Sequence, residues 1–146
     1  MAITISPYNH TAKILANKEI VYTTLKVVLL NGAATFNPAD TALTDVTDAG
    51  ANDVDGNGWD VGGEPLANEV LTIVNTNQAK LDADDLIVAA SGGSIGPAEA
   101  ACIYDDSHAS DAPLFWIEFN ETFTATVGNN FQFIWAAEGI ARWLVA

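Results

Sequence analysis

A mainly β fold is predicted for this chain: a single-domain β-sandwich or jelly-roll-like arrangement of about eight short strands with two short helices. Three observations predict it. From residue 69 onward, short runs rich in β-branched and aromatic residues follow one another: EVLTIVNT, LDADDLIVAAS, AEAACIYDD and LFWIEF. Turn residues close each run, as in NTNQ, SGGSIGP and SHASDAP. Hydrophobic residues make up 49% of the 146 residues and charged residues 16%, enough apolar material for one core and too little charge for a disordered chain. No linker-like stretch divides the chain, so residues 1–146 are expected to form one domain.

The elements follow in order. MAITISPY, with Ile3 and Ile5 alternating before Pro7, predicts an extended N-terminal arm over residues 1–8. A short helix follows through Ile14, Leu15 and Ala16, capped by Asn9 or Thr11 and stopped by a left-handed Asn17. TTLKVVLLNG reads as a buried strand ending in an Asn-Gly turn. Asn37 before Pro38 predicts an N-cap and a helix near 38–46, with Ala39, Leu43 and Val46 on one face. After residue 69 come the strands, the segment NETFTATVGNN carrying one of its own. FQFIWAA and IARWLVA are expected to close the chain as a hairpin around Glu138-Gly139, with Phe131, Phe133 and Trp135 on one face. Of the four tryptophans, Trp116, Trp135 and Trp143 sit in strand patterns and predict core or interface positions, whereas Trp59 lies in a loop.

Nineteen acids against five bases give a net charge of −14, which disfavours nucleic-acid backbones and anionic membranes. Lys13, Lys18 and Lys26 concentrate the positive charge near the N-terminus and suit docking on an acidic partner. The longest apolar runs, such as VVLL, are far too short to span a bilayer as a helix. No basic stretch followed by an apolar one opens the chain, which predicts a cytoplasmic product. Cys102 is the only cysteine, and its apolar neighbours predict a buried, inert thiol.

Catalytic patterns are missing from the sequence. His108 lies beside Ser107 and Asp111, but triads are assembled across a fold and not from neighbours on one loop. No nucleophile elbow, zinc-protease, phosphate-loop or dinucleotide fingerprint is present. The pairs Asp84-Asp85 and Asp105-Asp106 are read as solvated turn acids.

The stretch DVDGNGWDVGGE, Asp53–Glu64, matches the spacing of an EF-hand loop, with Asp53, Asp55, Asn57 and Glu64 at ligand positions and Gly58 at the turn. The flanks reject that motif. Neither side carries an amphipathic helix, and Asp60 occupies the position normally given to an apolar residue. What remains is a lone calcium loop formed by Asp53, Asp55, Asn57 and Glu64, or else a glycine-rich turn; no other cofactor is expected.

Four segments carry a resemblance: YNHTAKILAN (8–17), LKVVLLN (25–31), GNGWDVGGEPLAN (56–68) and DADDLIVAASGGSIGPAEAACIYDD (82–106). They resemble a family of small virion structural proteins of tailed, marine-type bacteriophages. The family pattern carries Gly56-Asn57-Gly58-Trp59 and Gly62-Gly63 but not Asp53 and Asp55, which argues against the metal. The resemblance implies a non-enzymatic capsid decoration, or cement, protein on the outer head surface, assembled in the host cytoplasm. Its partners would be the major capsid protein and further copies of itself, as a trimer at lattice three-folds. Ile3, Ile5, Tyr8, Lys13, Lys18 and Trp59 are the candidate partner contacts. The alternatives are a tail or baseplate subunit and a carbohydrate- or surface-binding module using Trp116 and Trp135.

Overall fold

The computed structural model describes residues 3–144. The chain is mainly β, with eleven strands and two short helices among the described residues. Its centre is an antiparallel sheet built on β2 (Leu25–Leu30), β8 (Ile95–Asp105) and β9 (Ala112–Ala125). β1 (Thr4–Pro7) adds to the outer edge of β9. The two-residue strands β3 (Asp53–Val54) and β4 (Glu64–Pro65) both pair with β2 on the other side.

The apolar strand LKVVLL, interrupted only by Lys26, now has its reason. Leu25, Val27 and Leu29 enter the larger core, while Val28 and Leu30 point to the opposite face and enter a second, smaller one. Ala101 and Ile103 of β8, with Phe115 and Ile117 of β9, follow the first set. Ala100, Cys102 and Trp116 follow the second. A strand covered on both faces carries apolar residues at every position, not at alternate ones. Burying each such Leu or Val contributes about 1.5–3 kcal/mol.

The smaller core is covered by the connection between β2 and β3, through Phe36, Leu43 and Val46. That connection holds α2 (Leu43–Val46), shorter than the helix predicted over 38–46. The Asn37 side chain instead closes a turn, accepting from the Ala39 N–H at 3.2 Å and donating to Asp40 at 2.6 Å. Asp45 restrains the helix start by accepting from the Ala42 N–H at 3.2 Å. In α1 (Asn9–Ala16) neither Asn9 nor Thr11 is the cap. The helix begins after Tyr8, Thr11 is buried and donates to the Leu114 carbonyl at 2.9 Å, and Lys18, not Asn17, takes the left-handed conformation.

The larger core is covered by β6 (Gln78–Asp82), β7 (Leu86–Ala89), β10 (Asn130–Phe133) and β11 (Ala141–Leu144), with β5 (Val70–Asn75) outside β6. The expected terminal hairpin does not form. A turn does sit before Gly139, whose N–H donates to Ala136 at 2.8 Å, but β10 pairs with β7 and β11 pairs with β6. Residues 78–89 and 130–144 run antiparallel as one ribbon broken in the middle. Asp84-Asp85 interrupts one side and residues 134–140 the other. Trp135 bridges the break, its N–H donating to Asp85 at 2.9 Å and its indole to the Asp84 carbonyl at 3.0 Å.

The strand count exceeds the predicted eight for identifiable reasons. β3 and β4 are too short to leave a pattern, and LDADDLIVAAS divides between β6 and β7. In the other direction, LFWIEF and the following NETFTATV are one strand, β9, with register shifts against β8 and a left-handed Asn120 within it.

Candidate functional site

The glycine-rich stretch resolves into a structural clasp. Asn57 and Gly58 both have positive φ, 56° and 108°, as a type I′ turn requires. Gly56 and Trp59 exchange both backbone hydrogen bonds across it, at 2.8 and 3.1 Å. The turn drives the Trp59 indole into the core, where it is 2% exposed and meets Phe131 edge-on at 5.6 Å between centroids. Gly63 lies so close to β2 that a Cβ there would overlap the Val27 carbonyl, and its φ of 95° is left-handed as well. The Tyr104 hydroxyl donates to the Gly62 carbonyl and locks the far end.

The four calcium candidates do not converge. The Asn57 amide donates to the Ser94 carbonyl at 2.8 Å, and Glu64 accepts from the Asp60 N–H at 2.7 Å. Asp53 sits in β3, half-buried, its carboxyl pushed above the usual range by burial and by neighbouring Asp55. Among the described residues no three of His, Cys, Asp or Glu are placed to hold a metal ion together.

The acidic pairs also separate. Asp105 is 0% exposed, which corrects its reading as a solvated turn acid. It accepts from the Val21 N–H at 2.7 Å, the Thr24 hydroxyl at 2.8 Å, and the Ser107 N–H and hydroxyl at 2.9 and 2.7 Å. Burial pushes its carboxyl up, but these bonds outweigh that and leave it below the usual carboxylate value. Asp106 faces outward and pairs with Lys26 at 3.0 Å. Ser107 is thus committed to Asp105, and His108 Nδ1 contacts Ser110 Oγ at 3.0 Å.

The partner-contact candidates divide by exposure. Lys13 and Lys18 are exposed. Tyr8 and Trp59, each 2% exposed, are packed inside the chain's own cores and present nothing to a partner. Their sequence positions, after a proline and between glycines, conceal this because only the tertiary fold folds those loops inward. The N-terminal arm is extended as predicted, but its residues 4–7 are docked on β9 of the same chain. Its residues 1–2 lie outside the described residues. Trp116 is 2% exposed and cannot serve as a stacking platform; its indole donates to Glu118 at 2.9 Å.

A feature the sequence did not reveal lies where β1 and β9 face β10. There an apolar groove of about 350 Å³ opens, floored by Ile117 and Phe119 and walled by Ile5, Ile134 and Trp135. None of its lining residues is charged. The volume lies within the range of pockets that take up ligand-sized apolar groups. Its walls come from segments more than a hundred residues apart, so no local pattern announces it. The one signal in the sequence is the absence of any charge from Thr122 to Ala137.

No protein-family model, curated protein or solved structure matches the chain.

Proposed function

We propose that this chain is a non-enzymatic virion structural protein of a tailed bacteriophage, a capsid decoration protein that binds the outer surface of the head shell and associates with copies of itself. The observation that carries the reading is the kind of work done by the segments that resemble phage virion proteins. Residues 56–68 form the clasp that pins Trp59 and meets β2, and residues 82–106 supply β7 and β8 of the scaffold. Both sets of residues are committed to rigidity. The net charge of −14 supports an outward position, since an acidic protein beside packaged DNA would be repelled. The exposed Lys13 and Lys18 offer the shell a basic contact in an otherwise acidic molecule.

Cryo-electron microscopy of virions carrying the chain tests the proposal. Density for the fold on the shell lattice is expected. Density confined to the tail or baseplate would overturn the decoration role in favour of a tail subunit, and absence from purified virions would overturn both.

A further inference from the structure

The chain holds an apolar groove and, on a different part of its surface, an exposed and largely apolar edge strand. We infer that they belong together: the β5 strand of one copy docks beside β1 of the next and places Ile73 in that copy's groove.

The donor is unusual among the strands. Every residue of β5 is exposed, and Ile73 is 81% exposed. β5 pairs only with β6, so its outer backbone edge is free among the described residues. Natural edge strands are ordinarily guarded by charge, proline or a bulge that turns them away. Residues 70–79, VLTIVNTNQA, contain no charge and no proline. The irregularity between Ile73 and Asn75 is a bulge in β5 itself, with Val74 the extra residue next to the hairpin tip; it leaves Val70–Ile73 regular.

The acceptor has matching chemistry. β1 pairs only with β9 and β10 only with β7, so two free strand edges flank the groove among the described residues. A strand hydrogen-bonded along the free edge of β1 sends alternate side chains to the groove side, as Ile5 does. Ile73 is the β5 side chain placed for that insertion, since Leu71 on the same face already turns toward Leu81 and Trp143 of its own chain.

Charge selects the occupant. Copies carrying −14 each repel one another over most of their surfaces. The uncharged groove and the uncharged β5 are where two copies can meet without opposing carboxylates. The contact joins two different surfaces of the chain, since no residue of β5 lines the groove. It is therefore heterologous, donor to acceptor, and such contacts build rings where the rotation closes. The inference gives a mechanism to the self-association in the reading above. It is tested separately, since a monomer can still occupy a shell.

The experiment uses the full chain and two substitutions at exposed positions, Ile73→Lys in the donor and Ile134→Lys in the acceptor, with circular dichroism confirming that both fold. Light scattering after size-exclusion chromatography should show an oligomer for the wild type and monomers for each variant. Mixed one to one, the variants should form a dimer and nothing larger, since one intact donor meets one intact groove. A monomeric wild type would overturn the inference. So would a mixture that stays monomeric, or an Ile134→Lys variant that remains oligomeric by itself, the result expected if β5 strands pair with each other. Hydrogen exchange on the wild type provides a readout free of substitutions. Protection at residues 4–7 and 70–75 should rise together with protein concentration, and exchange independent of concentration would also overturn the inference.

Discussion

Replacing Asp105 by Asn probes the one carboxylate fully enclosed among the described residues. Oδ1 accepts three hydrogen bonds, from Thr24 and from both donors of Ser107, and Oδ2 accepts one from the Val21 N–H. Asparagine can keep its carbonyl toward the three donors, but its NH₂ then faces the Val21 N–H. One charge-assisted bond, worth about 1.5–3 kcal/mol, is lost outright. The other three weaken, because bonds to an ionised acceptor are roughly twice as strong as neutral ones. Val21 and Thr24 lie on an exposed loop and regain water when it loosens, which limits the total. The net loss is about 3 kcal/mol, equivalent to roughly 10 °C in melting temperature for a chain of this size.

The pH dependence gives the sharper test. The carboxyl of Asp105 is held below its ordinary value of 3.8 in the folded state. A lowered pKa contributes stability that is present above the unfolded value and lost as pH falls through the folded one. The gap between wild type and Asp105→Asn should therefore be full at neutral pH and narrow below about pH 4. Asp40 and Asp53, both shifted upward, are present in both proteins and cancel in the difference. Urea denaturation at neutral pH and near pH 3 measures it. A gap under about 1 kcal/mol at neutral pH, or one that does not change with acidification, would refute the reasoning.

Trp59→Ala should destabilise the fold by about 3–5 kcal/mol, because a buried indole leaves a cavity beside Phe131 and Phe133. Trp59→Phe should be much milder in the same denaturation assay, since the indole Nε1 has no hydrogen-bond partner to lose. Gly63→Ala should lower the melting temperature sharply, whereas Gly128→Ala, with open space around its Cβ, should show only the strain of its positive φ. Burial pushes the Cys102 thiol up to about 12, so a thiol reagent at pH 8 should label it only after denaturation. Rapid labelling of the native protein would show that the smaller core opens.

The sequence by itself determined the class of this protein and several of its turns. Its short apolar runs and turn clusters specify strands because their signal is local: a β-branched run between glycines has few other options. The Asn57-Gly58 turn was legible for the same reason, since both central residues need positive φ and those two residue types provide it. Cys102 amid apolar neighbours is likewise buried as its context predicts. Tertiary structure decided the rest. The same residues that predict a terminal hairpin join two different sheets, because the edges of β6 and β7 lie alongside and Asp85 captures the Trp135 backbone between them. Asp105 looked like any surface aspartate until donors from residues 21, 24 and 107 surrounded it. The groove likewise depends on strands from both ends of the chain. A turn is fixed by a few neighbouring residues, but burial and concavity depend on which distant segments arrive, and that is written in packing alone.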